Sequence, residues 1–412
     1  MHVLMLLKSE LRRSAGVLLG MALVLALSLA LAVSAGLTER MLRSSSAAAA
    51  DRFDLLVGAK GSATSLLLGT VYLRDEPLGL VPAEAMNSLI GAKGVRWAAP
   101  VAFGDRVGRA ALVGTTRALA TFGGAAPLSE GRVFEAPDEA VAGAASGLKV
   151  GDTFLPMHGR AHGAGHAHAE SRFTVVGVMP ASGTPWDRAV LVPIERIWSM
   201  HGADTHEEHE EHDHAARPLE EWMHEDLSKL PGMSAVVVKP VTVADAYRLR
   251  QVFSKKSVNS PDGTQVNLMG VFSGEVLVEL YAAMGGAAKA LSFITALTVA
   301  IALAATLITG VLLGRLRLPT LLELRVLGAP RLYVGTLLWL IVMAVAVAGT
   351  AGGIALGWLF ATLCGTVLEA ETGIAMAPVL SLAEAKLALM TLGSGAVCAL
   401  IPAWLAGRAK MH

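Results

Sequence analysis

Ten of the twelve histidines of this 412-residue chain fall between His158 and His224. His158, His162, His166 and His168 lie in a Gly/Ala-rich stretch. His201, His206, His209, His212 and His214 are interleaved with Glu207, Glu208, Glu210, Glu211 and Asp213, and His224 follows. Imidazole nitrogen with carboxylate oxygen is an ordinary shell for zinc, and short His-rich tracts are a compositional sign of metal binding. His206, His209 and His212 stand three apart and would share one face if that segment is helical. The glycines of the first group predict a mobile loop. Such a loop suits sensing, buffering or handing over a divalent cation better than a structural site, which needs four fixed ligands. The same composition also fits a solvated acidic insertion that meets metal only incidentally, since residues 204–226 hold ten acids against Arg217. Zinc is the first expectation, but imidazole serves nickel, cobalt and copper too. The lack of cysteine and scarcity of methionine beside these histidines argue against copper(I).

Other chemistries find no support. Val57-Gly-Ala-Lys-Gly-Ser62 approaches a phosphate-binding loop, but the order G-x-x-x-x-G-K-[ST] is not met. His206-Glu-Glu-His209 falls one residue short of the zinc-protease spacing. No Ser-His-Asp set or carboxylate pair stands out, so the chain is expected to be non-catalytic. A net charge of zero points away from nucleic acid.

The elements that must position the histidines are set by four charge-free apolar stretches, residues 14–38, 290–314, 332–368 and 387–407. Crossing a bilayer takes about 20 apolar residues. The 53% hydrophobic and 17% charged composition is that of a membrane protein. The sequence therefore predicts an α-helical membrane protein with four transmembrane helices and a large α+β extracytoplasmic domain between helices 1 and 2. The expected division is an N-terminal tail with helix 1 over residues 1–39, the water-compatible domain over 40–289 with His-rich loops at 158–168 and 201–214, and helices 2–4 over 290–412. Lys8, Arg12 and Arg13, then Arg315, Arg317, Arg325 and Arg331, then Arg408 and Lys410 flank alternate ends of the spans. Glu369, Glu371 and Glu384 dominate the remaining short loop. Basic short loops face the cytoplasm, so both termini are expected inside and the large domain outside. Val33-Ser34-Ala35 could serve as a signal-peptide cleavage site, but an uncharged run of about 25 residues suits a retained span.

Residues 112–114, 173–179, 189–193 and 235–240 read as short Val-rich strands. Residues 82–90 and 243–255 read as helices, the second capped by Thr242. Two subdomains are a further expectation. Residues 38–50 and 275–289 are expected to continue spans one and two as polar helices. No charge-free stretch holds Asp, Glu, Lys, Arg or His, the residues that usually mark ion pathways through bilayers. The outer domain thus looks metal-aware while the spans look unsuited to conducting metal. A protein whose spans transmit motion reconciles the two. Gly349, Gly353 and Gly357, like Gly16 and Gly20, stand four apart, and such small residues let helices approach closely, within one chain or between two copies.

The segment Arg315-Leu-Arg-Leu-Pro-Thr-Leu-Leu-Glu-Leu-Arg-Val-Leu-Gly-Ala-Pro-Arg331 resembles the cytoplasmic loop of FtsX/MacB-like ABC transporter permeases. Leu148-Lys-Val-Gly-Asp-Thr-Phe154, Phe173-Thr-Val-Val-Gly-Val-Met179 and Ser182-Gly-Thr-Pro-Trp-Asp-Arg188 are similar to their MacB-type periplasmic core. The order of one span, a large domain and three spans also matches. The resemblance implies a bacterial inner-membrane permease subunit that binds no ATP itself. It implies a homodimer of this chain, paired with a separate ABC-type ATPase and in contact with membrane lipid. Arg317, Glu323, Arg325, Leu327, Gly328 and Arg331 would couple to that ATPase, and Pro319, a departure from the family pattern, would shorten the docking helix. The His-rich stretches are a second departure. They add an expected periplasmic metal-binding or adaptor partner and a link to zinc. Family substrates range from lipoproteins and peptides to macrolides and hydrolase activators. A lipoprotein, peptide or drug export permease with incidental histidines therefore stays open, as does a non-transporting signal transmitter that regulates a periplasmic partner.

Overall fold

The structure is a computed structural model that describes residues 12–158, 171–202, 226–316 and 330–408. The chain forms two compact units. One comprises Ser45–Ala283 with Glu369–Ala375; the other comprises Met1–Ser44, Met284–Leu368 and Met376–His412.

The first unit is built on a sheet. Its strands are β1 (Leu55–Ala59), β2 (Val95–Val107), β3 (Ala110–Thr115), β4 (Glu130–Gly131), β5 (Glu139–Ala142), β6 (Thr153–Phe154), β7 (Met157–His158), β8 (Phe173–Val178), β9 (Val190–Pro193), β10 (Ala235–Pro240), β11 (Ser257–Asn259) and β12 (Gln265–Phe272). The spatial order is β11-β12-β1-β10-β2-β3-β9-β5-β8-β4, with β6 on β8 and β7 on β2. Pairing is antiparallel except for β3 with β9 and β5 with β8. All the described strands join one sheet.

The central strands carry runs of consecutive apolar residues because both faces of the sheet are covered there. Side chains alternate between faces along a strand. Leu55 and Val57, Val236 and Val238, and Val190 and Val192 enter one cluster, while Leu56, Val237 and Leu191 enter another. The first face is covered by a 3-10 turn at Ala83–Ser88, by α3 (Ile194–Gly202) through Ile197 and Trp198, and by α4 (Val243–Ser254) through Leu249 and Phe253. The Thr242 hydroxyl accepts from the Asp245 amide at 3.1 Å and caps α4. The second face is covered by Ala50 at the end of α1 (Ala15–Ala50) and Phe53 just beyond it, by Leu66 and Leu67 of α2 (Ala63–Thr70), and by Val276 and Leu277 at the start of α5 (Ser273–Leu316). Residues 45–50 of α1 and 273–283 of α5 therefore belong to the sheet unit.

β5 is fixed at its start by charge. The Glu139 carboxylate accepts from Arg132 Nη1 at 2.7 Å and from the amides of Glu135 and Ala136 at 2.7 and 3.2 Å, and it pairs with Arg132 Nη2 as well. The guanidinium hydrogen bond, aided by those amides, holds its carboxyl below the usual glutamate range despite partial burial.

The second unit is helical. Among the described residues, four stretches are long and apolar enough to cross a membrane by length and composition. They are Ala15–Ala50, Ser292–Leu312 within α5, Leu332–Thr372 within α6 (Arg331–Thr372), and Leu382–Trp404 within α7 (Leu382–Arg408). Gly349, Gly353 and Gly357 of α6 lie against Leu25, Leu29 and Val33 of α1. A Cβ added at these glycines would fall 2.9, 2.7 and 2.6 Å from the facing side chains. Glycine at every fourth position makes a groove into which one ridge of α1 sinks. A Cβ at Gly16 or Gly20 would meet nothing within 4 Å. One carboxylate is accommodated near the start of α7. Glu384 accepts from the Ser381 amide and hydroxyl at 2.8 and 2.9 Å and pairs with Arg40 of α1. The bond from the Ser381 amide forms one half of a capping box.

Gly357→Leu is expected to cost about 1–3 kcal/mol by overpacking against Val33. Gly393→Leu, where an added Cβ meets nothing within 4 Å, is expected to leave thermal unfolding in detergent unchanged. Equal effects would contradict the groove. Because the folded Glu139 pKa is depressed, its contribution is fully present above the ordinary value of 4.5 and is lost as pH falls through the lower folded value. Acid titration of unfolding should show this component in the wild type and its loss in Glu139→Gln.

Candidate functional site

His158 ends β7, where the ladder places it opposite Asp105 of the long strand β2. His201 lies in the last turn of α3, which packs on β2, β3 and β9. Both histidine-bearing segments therefore start from elements that pack on β2. His162, His166, His168, His206, His209, His212 and His214 lie outside the described residues, as do Arg317, Glu323, Arg325, Leu327 and Gly328. Arg331 is the first residue of α6. Among the described residues, no three His, Cys, Asp or Glu side chains gather in a way that could hold a metal ion.

The described residues instead bring together a joint. Three segments read separately in the sequence meet around β8. The Gly151 amide donates to the Val175 carbonyl at 2.8 Å, and the Val175 amide donates to the Asp152 carbonyl at 2.9 Å. Gly151 takes a left-handed φ of +93°, which favours glycine there. Phe154 stacks on Phe173 with ring centres 5.5 Å apart. Beyond β8 the chain turns sharply through 182–188, and Asp187 organises that turn. Its buried carboxylate accepts from the Ser182 amide at 2.8 Å, the Gly183 amide at 2.7 Å and the Ser182 hydroxyl. A carboxylate that accepts several amides fixes a turn firmly, since the charged acceptor makes each bond stronger than a neutral one.

Two side chains of this turn reach outward to other elements. Trp186 is buried in the second face cluster, its ring 5.4 Å from that of Phe53, three residues past the end of α1. Arg188 donates to the carbonyls of Glu369 and Ala370 at 2.8 and 2.7 Å. These are carbonyls of the last turn of α6, which carries the negative end of the helix dipole. Gly373 follows with φ +73° and donates to the Glu369 carbonyl at 2.9 Å, an αL cap. The Ala375 amide then donates to the Gly183 carbonyl at 2.9 Å. The 182–188 turn thus bonds to the end of α6 and packs beside the exit of α1. The sequence marks these residues only as a family phrase. The joint is missed there because Arg188 and Glu369 lie 181 positions apart, and no local pattern links a guanidinium to a remote helix end.

A cavity of about 390 Å³ lies in the helical unit between α1, α5 and α7. Gly36, Ser292, Thr295, Val299, Met390 and Ser394 are among its lining residues, and Glu39 also borders it. Its walls are mostly apolar, with a few hydroxyls.

The family profile of the MacB-like periplasmic core domain matches residues 14–248, more than half of the chain. No curated protein matches the sequence. The matched region covers all of α1, the sheet through β10 and the 182–188 turn, and a set of long apolar helices completes the described chain. The chain belongs to the family of the MacB-like periplasmic core domain, and so to the FtsX/MacB-like ABC transporter permeases.

Proposed function

We propose that this chain is the permease subunit of an ABC transporter whose ATP is hydrolysed by a separate subunit, and that it performs mechanical work in the periplasm connected with divalent metal, zinc first. In this reading both termini are cytoplasmic. Residues 1–39 hold the first span, 40–289 the periplasmic domain and 290–412 the last three spans. Arg317, Glu323, Arg325, Leu327, Gly328 and Arg331 grip the ATPase. Two copies of the chain act together. The nine histidines of the two clusters bind zinc or receive it from a periplasmic carrier.

One observation carries the mechanical part. α1 and α5 continue without a break from charge-free apolar stretches into the cluster on one face of the sheet, through Ala50 on one side and Val276 and Leu277 on the other. A helix is stiff along its axis, so movement at its apolar end reaches that cluster. The charge-free stretches offer no side-chain relay for an ion. That favours work on a periplasmic object over conduction through the bilayer. The metal part is supported by the density and spacing of the histidines.

A second reading has support of its own. The cavity between α1, α5 and α7 could hold an apolar segment of an exported lipoprotein, peptide or drug, with the histidines incidental.

Purification of the full chain from its host membrane tests the machine. A nucleotide hydrolase is expected to accompany the wild type, and the pair Glu323→Lys and Arg325→Glu is expected to release it. Purification without a hydrolase would contradict the proposal. Zinc titration of the same preparation tests the metal. Micromolar binding is expected, lost when the nine clustered histidines become alanine. Binding weaker than about millimolar, or unmoved by those replacements, would remove zinc and leave the export reading.

A further inference from the structure

We propose that Arg188 is the latch through which axial movement of α6 is delivered to the sheet domain, and that the 182–188 turn is built to receive it. The inference rests on the reading of the chain as an ATPase-driven permease and names the residues that would pass the stroke on.

Three observations support it. First, α6 runs 42 residues without interruption from Arg331, the last residue of the basic segment, to Thr372. Whatever acts on its first turn is felt at its last. Second, that last turn is held by a bidentate guanidinium. Arg188 bonds two adjacent carbonyls at 2.7 and 2.8 Å, and the charge also opposes the negative end of the helix dipole. The grip has a second point, from the Ala375 amide to the Gly183 carbonyl at 2.9 Å. The approach is close, since a Cβ at Gly373 would fall 3.2 Å from Pro185 Cα. Third, the receiving turn is stiff. Asp187 locks the Ser182 and Gly183 amides, and Trp186 is packed against Phe53 within the second face cluster. Directly beyond Arg188 the chain enters β9, a strand buried at each of its four positions. A pull on the Glu369 and Ala370 carbonyls therefore meets no compliant residue before the core of the sheet.

A guanidinium at this place has alternatives that the chain does not use. Gly373 already caps α6 through its amide, and solvent could satisfy the remaining carbonyls. Tethering them to a turn 181 residues away adds connection rather than local helix stability.

Hydrogen exchange on the full chain in lipid nanodiscs tests the latch in two arms. Without nucleotide, Arg188→Ala, which loses two charge-assisted hydrogen bonds, should speed exchange across residues 369–375 at least about tenfold. Residues 55–59 of β1 should not change. Arg188→Lys, which keeps the charge but not the fork, should fall between. With the associated ATPase trapped by ATP and vanadate, the wild type should show changed exchange across residues 182–193. Arg188→Ala should lose that change while hydrolysis continues. Ala375→Pro removes the second grip without touching Arg188, so it should weaken the response even if the arginine variant folds poorly. Unaltered exchange at 369–375 in the first arm, or a full response from Arg188→Ala with the hydrolase turning over, would overturn the latch. If no hydrolase associates, the proposed function falls and the first arm alone decides the latch.

Discussion

The rest of the structure depends on one constraint, that the sheet is apolar on both faces. Leu55-Leu56-Val57, Val190-Leu191-Val192 and Val236-Val237-Val238 leave neither side of the central strands fit for water. Antiparallel sheets commonly keep one face solvated, but this one does not. The cover on the second face is drawn partly from helices that elsewhere are apolar all round. Ala50, Val276 and Leu277 thus serve two purposes, closing the core of a water-compatible domain and ending or beginning helices long enough for a bilayer. The α1 and α5 helices are therefore part of the domain's folding requirement and not anchors attached to it. Truncating them would expose the strand residues they cover.

The same constraint explains which parts of the fold were legible in the sequence. Strands with dense valine and firm Gly or Pro boundaries, at 110–115, 173–178, 190–193 and 235–240, could be read directly, as could the Thr242-capped helix. The continuation of both polar segments as helices out of the apolar runs also follows from sequence, because residues 38–50 and 275–289 hold no proline and Gly285-Gly286 alone weakens the helical pattern. The thirteen-residue β2 could not be read, because Pro100 and Gly104 interrupt its pattern and its pairing with β10 and β3 is irregular. Segment 83–88 has helical composition, yet its single 3-10 turn is set by tertiary packing of Ala83, Ala85 and Met86 on the sheet.

Site residues divide in the same way. Histidine density and the basic glutamate-bearing segment are compositional facts and need no structure to be noticed. The joint is relational. Ser182, Asp187 and Arg188 look like ordinary turn residues until the end of α6 is placed beside them. The glycines of α6 fall between these cases. Their four-residue spacing is visible in the sequence, but the facing ridge of Leu25, Leu29 and Val33 is not, because leucine and valine are unremarkable in an apolar helix.

Glu384 fixes one more degree of freedom. Its two carboxylate oxygens are committed in different directions, one to Arg40 of α1 and one to the Ser381 amide and hydroxyl. Turning α7 by a single residue would swing that carboxylate about 100° around the helix axis and take a buried anion away from its partners, a steep electrostatic cost. The pairing therefore acts as a rotational key. α7 cannot spin without first surrendering the arginine.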